Sequence, residues 1–135
     1  MSPKILVIDD ELGIVQVLAI KLRKAGFEVF TAVDGEEGAD AARTHLPDII
    51  LTDHQMPYLT GTEMCRVLLE DVSTAGIPVI ILTARGHSLD DADRSLGNVH
   101  RVLSKPFSPR EVLEIVQEIL ARQTTVVGEP SGGAS

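Results

Sequence analysis

Three carboxylates, a threonine hydroxyl and a lysine amine occupy comparable positions in this sequence, each at or just after the end of a short apolar run. They are Asp9, Asp10, Asp53, Thr83 and Lys105. If the apolar runs are parallel strands, their carboxyl ends meet at one edge of a sheet, and the five side chains form one site. The sequence therefore predicts a single polar site that contains charges of both signs.

The carboxylates of this site predict a metal ion. Two negative charges about 4 Å apart repel each other by about 4 kcal/mol at an effective dielectric constant near 20. A divalent cation removes this repulsion, and Mg²⁺ typically binds one or two carboxylates together with phosphate oxygens. We expect Mg²⁺, with Mn²⁺ as a possible substitute, and Asp10 and Asp53 as its direct ligands.

The remaining groups suit phosphoryl chemistry. Lys105 can pair with a carboxylate at rest and neutralise a phosphoryl oxygen later, while the Thr83 hydroxyl can donate a hydrogen bond to that oxygen. Asp53 can itself attack phosphorus, because carboxylates serve as phosphoryl acceptors. The expected product is an aspartyl phosphate.

The elements that must position these residues alternate between strand-like and helical patterns. Such alternation, with uninterrupted apolar strands, indicates an α/β domain whose parallel sheet is doubly wound and covered on both faces. The third helix is expected to bury Met64, Cys65, Leu68 and Val72. The fourth, from His87 to Leu96, has the weakest helical pattern. The strand-like runs are residues 4–8, 27–32, 48–51, 77–82 and 101–103.

The chain length suits one domain, which we place at residues 1–121 of the 135. Residues 122–135 have no apolar periodicity and are rich in Gly, Ser and Pro, so they are expected to be a disordered tail or the start of a linker.

Composition restricts the partners. The net charge is −8 and no extended basic stretch is present, which argues against direct binding of nucleic acid. The apolar runs are far shorter than the roughly 20 residues of a membrane span, and no signal peptide precedes the first strand, so a cytoplasmic protein is expected. Lone Cys65 is expected in the core. The four histidines lack metal-ligand spacing and are expected to be exposed: His45, His54, His87 and His100.

Four motifs together resemble the receiver domain of two-component response regulators, from residue 4 to about residue 121. They are VIDDE at 7–11, LTDHQMP at 51–57 followed by Gly61, ILTA at 81–84, and SKPF at 104–107. The resemblance implies a flavodoxin-like fold with five helices and strand order 2-1-3-4-5. It also implies a phosphorylation-dependent signalling switch, whose only chemistry is Mg²⁺-dependent self-phosphorylation and autodephosphorylation.

The resemblance also assigns roles to residues. Asp53 would be the phosphoacceptor, and Asp9, Asp10, Asp53 and the backbone carbonyl of Gln55 would hold Mg²⁺. The phosphoryl group would be contacted by Thr83, Lys105 and the backbone N–H of Ala84. Pro57, Gly61 and Pro106 would shape loops, and Gln55 and Arg85 would tune the lifetime of the phosphoryl group.

One position departs from the family. Receiver domains usually carry Tyr or Phe three residues before the lysine, where this chain has Val102. We therefore expect signalling to depend on the loop from Thr83 to His87 and on the fourth helix.

The resemblance implies that a histidine kinase or a histidine phosphotransfer protein donates the phosphoryl group. The switched face would surround the fourth helix, the fifth strand and the fifth helix, and would act on a downstream protein or a linked output domain. The region of Arg94, His100 and Arg101 is a candidate partner or homodimer surface. Tyr58, in the loop after Asp53, either borders the approach of the donor or is a plain surface aromatic.

Two rival functions use related chemistry or the same fold. A dehalogenase-type phosphohydrolase needs a second Asp two residues after the nucleophile, where this chain has Gln55. A flavodoxin-like cofactor binder needs a phosphate loop after the first strand, where the acidic sequence at 9–13 repels phosphate. Both rivals are disfavoured.

Overall fold

The computed structural model describes residues 2–84, 89 and 91–128, with side chains as far as Arg122. Five parallel strands form one sheet in the order β2-β1-β3-β4-β5. This confirms the predicted doubly wound α/β fold. The strands are β1 (Lys4–Ile8), β2 (Glu28–Ala32), β3 (Ile49–Asp53), β4 (Val79–Thr83) and β5 (Val99–Ser104). The helices are α1 (Leu12–Lys24), α2 (Gly35–His45), α3 (Gly61–Leu69), α4 (Asp91–Arg94) and α5 (Pro109–Gly128).

The two faces of the sheet bury separate apolar clusters. Successive residues of a strand point to opposite faces, so β1 contributes Ile5 and Val7 to one cluster and Leu6 and Ile8 to the other. The first cluster is closed by α1 and α5, and the second by α2 and α3. Because both faces are covered, β1, β3 and β4 are apolar at nearly every position, which explains why their sequence lacks alternation.

The starts of α2 and α5 are capped by side chains. The Asp34 side chain accepts a hydrogen bond from the Glu37 N–H at 2.8 Å, and the Ser108 hydroxyl accepts one from the Glu111 N–H at 3.0 Å. These bonds satisfy N–H groups that have no partner within the helix. After α1, Gly26 adopts a φ of +100°, a conformation that favours glycine and ends the helix before β2.

Two helices differ from the sequence expectation. Helix α3 ends at Leu69, and Val72, expected in its buried face, is 95% exposed. The Asp71 carboxylate accepts hydrogen bonds from the N–H and hydroxyl of Ser73, and such local bonds compete with helix continuation. Helix α5 continues to Gly128, beyond the point where apolar periodicity ends, because no glycine or proline interrupts residues 122–127.

The fourth helix is short. Only Asp91–Arg94 is helical within the described part of the predicted segment, and His87 lies outside the described residues. Among residues 2–84, 89 and 91–128, no helix is both long and apolar enough to cross a bilayer.

Candidate functional site

Backbone hydrogen bonds continue the sheet past the strand ends and fix the residues that follow. The N–H of Asp9 donates to the carbonyl of Ala32 at 3.2 Å, and the N–H of Lys105 donates to the carbonyl of Thr83 at 2.8 Å. Asp53 is the last residue of β3. The carboxyl ends of β1, β3, β4 and β5 therefore meet at one edge, as the sequence predicted.

The structure brings three carboxylates together in an acidic cluster of Asp9, Asp10 and Asp53. One oxygen from each lies within 4.8 Å of the others. Asp9 and Asp53 are buried, while Asp10 is exposed. The cluster therefore has a desolvated floor and an open side, through which an ion and a substrate can enter.

Lys105 lies against this cluster. Its Nζ is 3.4 Å from Asp53 Oδ1, 3.6 Å from Asp9 Oδ2 and 3.2 Å from Glu11 Oε1. The amine thus divides one positive charge among three carboxylates and cannot neutralise all of them.

The pKa values reflect this imbalance. Burial, assisted by the charge of Asp53, raises the pKa of Asp9 from 3.8 to about 6, although the N–H of Glu11 and the Lys105 charge act in the opposite direction. Burial also raises the pKa of Asp53, and Lys105 opposes that shift. For Lys105, burial disfavours the charge, but Asp53 and Asp9 outweigh it and raise the pKa.

A divalent cation fits the unsatisfied part of the cluster. Asp9 Oδ1 accepts a hydrogen bond from the Glu11 N–H at 2.9 Å. Asp9 Oδ2 is buried and accepts no hydrogen bond from the residues that the structure describes. A buried carboxylate oxygen without a donor is costly, and a hard cation with oxygen ligands satisfies it. The acidic cluster is therefore able to hold a metal ion.

Thr83 is at the predicted strand end, but its hydroxyl points towards β5. Thr83 is 1% exposed, and Oγ1 donates to the Leu103 carbonyl at 3.3 Å. A rotation about its χ1 angle would be needed to turn the hydroxyl towards a group on Asp53. Ala84 follows at the same edge, whereas Arg85 lies outside the described residues.

Gly61 permits a close approach of α3 to the backbone of Asp53. A Cβ at Gly61 would lie 2.9 Å from the Asp53 carbonyl oxygen, a distance that real Cβ atoms essentially never show. The Gly61 N–H also donates to the carbonyl of His54 at 2.8 Å. Pro57 lies between these residues in the β3–α3 loop, and Pro106 follows Lys105 through a cis peptide bond.

Two features of the site were not anticipated. His54 was expected to be exposed, yet it is buried with 9% exposure, because the backbone after β3 continues into the sheet through a bond from the His54 N–H to the Leu82 carbonyl. The contact between Glu11 and Lys105 was also missed. The sequence did indicate this contact, because Glu11 directly follows Asp9 and Asp10, which are both assigned to the site.

Val102, the atypical position, is half-buried on β5. It packs against the apolar cluster that contains Ile81 and Leu89, on the same face of the sheet as α3. An aliphatic side chain therefore occupies the position expected for an aromatic ring.

Comparison with known proteins agrees with this geometry. The family model for the response regulator receiver domain matches residues 5–117. The alkaline phosphatase synthesis transcriptional regulatory protein PhoP of Bacillus subtilis is 41% identical over 125 residues, which cover 90% of this chain and 50% of that protein. The DNA-binding response regulator MtrA of Mycobacterium tuberculosis is 34% identical over 122 residues, covering 90% of this chain and 52% of its own length. The chain thus spans about half the length of these curated relatives.

Solved structures give the same result. The chemotaxis response regulator CheY4 of Vibrio cholerae superimposes with a TM-score of 0.80 and 30% identity, covering 88% of this chain and 99% of that one. The receiver domain of the Francisella response regulator 1452 has a TM-score of 0.80 and 31% identity, and the match covers 90% of this chain and 99% of that one. The fold, the strand-end site and these matches show that the chain belongs to the response regulator receiver domain family, whose members act in phosphorylation-dependent signalling.

Proposed function

We propose that Asp53 accepts a phosphoryl group from a phosphohistidine and that the resulting charge switches the face around α4, β5 and α5. The observation that carries this proposal is the placement of Asp53 within the acidic cluster, with the Lys105 amine 3.4 Å from its Oδ1. A carboxylate at the floor of an open site, beside a fixed positive charge, suits attack on phosphorus.

In the proposed transfer, an oxygen of Asp53 forms a bond to phosphorus as the bond from phosphorus to the donor imidazole breaks. The electron pair of the broken bond returns to the imidazole nitrogen. Lys105 lies close enough to move its charge from the Asp53 carboxylate to a phosphoryl oxygen.

Mg²⁺, with Mn²⁺ as a substitute, would be held by Asp9, Asp10, Asp53 and the backbone carbonyl of Gln55, and would neutralise the charge of the transferred group. Asp9 supports this assignment, because its Oδ2 lacks a hydrogen-bond donor among the residues that the structure describes.

The switch would begin at Thr83. Its hydroxyl bonds to the Leu103 carbonyl at 3.3 Å, and we propose that it turns towards the phosphoryl group, together with the Ala84 N–H. Loss of that bond would alter β5. Val102 on β5 packs against the apolar cluster that contains Leu89, which precedes α4 in the chain. Gln55 and Arg85 are proposed to tune the phosphoryl lifetime. The loop from Thr83 to His87, proposed to relay the change, lies mostly outside the described residues.

The proposed donor is a histidine kinase or a histidine phosphotransfer protein, and the proposed location of this domain is the cytoplasm. RpaA of Synechocystis and MtrA of Mycobacterium tuberculosis are DNA-binding regulators by name, and this chain covers about half of each. A downstream protein or a linked output domain would read the switched face, and homodimerisation would use the same face. This domain itself would not contact nucleic acid.

The test is incubation with acetyl phosphate and Mg²⁺, followed by intact mass and peptide mapping. The expected result is one added phosphoryl group on Asp53, which is absent in Asp53→Asn and in EDTA. Asp40→Asn is the matched control, because Asp40 is an exposed carboxylate in the middle of α2, where it pairs with Arg43. Phosphorylation that persists in Asp53→Asn contradicts the proposal.

The relay has its own test. Methyl NMR of Val102 and Leu89, with and without beryllofluoride and Mg²⁺, is expected to show shifts at both residues. An unchanged spectrum would argue against a relay through β5 and α4.

A further inference from the structure

The loop between β3 and α3 contains a strained turn with an aromatic residue at its centre. Tyr58 has a φ of +73°, and the Leu59 N–H donates to the Pro57 carbonyl at 2.9 Å. A hydrogen bond between residues two apart, around a central residue of positive φ, forms the rare and strained kind of γ-turn. Bulky side chains seldom adopt this conformation, whereas glycine adopts it readily.

The segment after the turn is fixed on the protein side. Leu59 packs closely on the start of α2. A Cβ added at Gly35 would lie only 2.5 Å from the Cβ of Leu59. Thr60 then starts α3 with reciprocal capping bonds to Glu63 of 3.2 and 2.8 Å. These contacts leave the chain little freedom at Tyr58, so the neighbouring structure imposes the positive φ.

The ring of Tyr58 makes little contact within the domain that could offset the backbone strain. The Tyr58 side chain belongs to a residue that is 76% exposed, so little packing within the domain offsets the backbone strain. A glycine or an asparagine would form the same turn with less strain. The presence of tyrosine at this position therefore calls for a role outside the folding of the domain.

The location of the ring indicates that role. Tyr58 is five residues beyond Asp53, at the edge of the sheet that carries the acidic cluster. Two further apolar residues are exposed where neighbouring strands end: Leu12, after β1, is 60% exposed and Val33, after β2, is 40% exposed. The charged site thus has exposed apolar side chains at three adjacent strand ends, and aromatic residues in such settings are common anchors of protein interfaces.

We propose that Tyr58 is a specificity-determining residue for phosphoryl transfer: a phosphohistidine-bearing protein packs apolar surface against its ring, whereas a small phosphodonor makes no use of it. This inference rests on the proposed function of Asp53. Tyr58 does not touch the reacting atoms, so it acts on recognition of the donor and leaves the chemical step unchanged.

The experiment compares the parent chain with Tyr58→Phe, Tyr58→Asn and Tyr58→Gly, using two donors. One donor is acetyl phosphate. The other is the autophosphorylated histidine kinase, chosen from a purified panel, that phosphorylates the parent chain fastest. Tyr58→Asn and Tyr58→Gly are expected to lower kcat/KM for the kinase about tenfold or more, while rates with acetyl phosphate stay within about twofold. Tyr58→Phe retains the ring and should match the parent with both donors.

A stability measurement accompanies the kinetics. Because asparagine tolerates positive φ, Tyr58→Asn is expected to unfold at a higher urea concentration than the parent, which separates loss of recognition from loss of folding.

Four results would overturn the inference. Equal losses with both donors would show that the ring only positions Asp53, and unchanged kinase kinetics would show that the donor does not contact it. A lowered kcat/KM of Tyr58→Phe with the kinase would show that the hydroxyl, and not the ring, recognises the donor. If neither donor phosphorylates the parent chain, the proposed function of Asp53 fails, and this inference fails with it.

Discussion

Asp9 carries the main energetic conflict of the site at the scale of single residues. Its side chain is fully buried, one of its oxygens is hydrogen-bonded to the Glu11 N–H, and its pKa is raised to about 6. The folded protein therefore binds a proton at Asp9 more tightly than the unfolded chain does. As pH rises from about 4 to 6, the metal-free protein loses stability, and the loss is complete above the folded pKa.

Asp9→Asn should therefore stabilise the metal-free protein at pH 7. The amide is neutral and its oxygen can still accept the Glu11 N–H, so the free energy of unfolding should rise by about 2 to 3 kcal/mol. Urea unfolding in EDTA measures this, and the difference from the parent should shrink towards pH 4. Asp40→Asn should have little effect at either pH. An unchanged or lowered stability of Asp9→Asn at pH 7 would contradict the account of the buried charge.

Cys65 offers a second prediction at this scale. Burial raises the pKa of its thiol to about 12, so the reactive thiolate is scarce as well as inaccessible. Iodoacetamide at pH 8 should modify the native protein at least about 100-fold more slowly than the urea-unfolded chain. Intact mass over time measures both rates. Rapid alkylation of the native protein would show that α3 opens readily or packs differently.

At the scale of elements, α3 makes contacts of two different kinds with the α4–β5 region, one with α4 itself and one with the segment before β5. Arg66 on α3 forms an ion pair of 2.6 Å with Asp93 on α4. Asn98, which precedes β5, donates from Nδ2 to the Cys65 carbonyl at 3.0 Å and is 2% exposed. The first contact is partly open to water, and the second is buried.

These contacts should differ in strength. Asn98→Ala removes a buried hydrogen bond together with the packing of a buried side chain, and should lower the free energy of unfolding by about 1 to 3 kcal/mol. Arg66→Ala removes a half-exposed ion pair and should cost about 1 kcal/mol or less. Urea unfolding of both variants tests the ranking. A larger loss for Arg66→Ala would show that the ion pair contributes more to stability than the buried amide does.

At the scale of the whole molecule, the acidic cluster exists only in the folded state. Asp9 and Asp10 follow β1, and Asp53 ends β3, so Asp53 is more than 40 residues from the other two in sequence and the unfolded chain does not hold the three together. An ion that needs all three binds the folded protein preferentially, and its binding free energy adds to stability.

Mg²⁺ should therefore stabilise the domain in a saturable manner. At a free concentration 100 times its Kd, the gain should approach about 2.7 kcal/mol. Urea unfolding across a Mg²⁺ titration measures this, with NaCl at matched ionic strength as the control. The gain should be much smaller in Asp53→Asn. Equal stabilisation by NaCl would mean that general screening, and not a site, is responsible.

The sequence by itself determined the strands, the starts of α2 and α5, and the set of residues at the strand ends. Apolar runs, capping residues such as Asp34 and Ser108, and the polar residues that follow each run are local features. The gathering of these polar residues at one edge was also predictable, because parallel strands end at a common edge.

Only the tertiary structure decided the contacts among those residues. The sharing of Lys105 between Asp9, Glu11 and Asp53, the direction of the Thr83 hydroxyl, and the burial of His54 depend on distances between segments far apart in the chain. The turn at Tyr58 is similar, since its strain comes from packing of the next residue on Gly35. Local patterns specify which face a side chain takes, but burial and hydrogen-bond partners are set by whatever the rest of the fold places beside it.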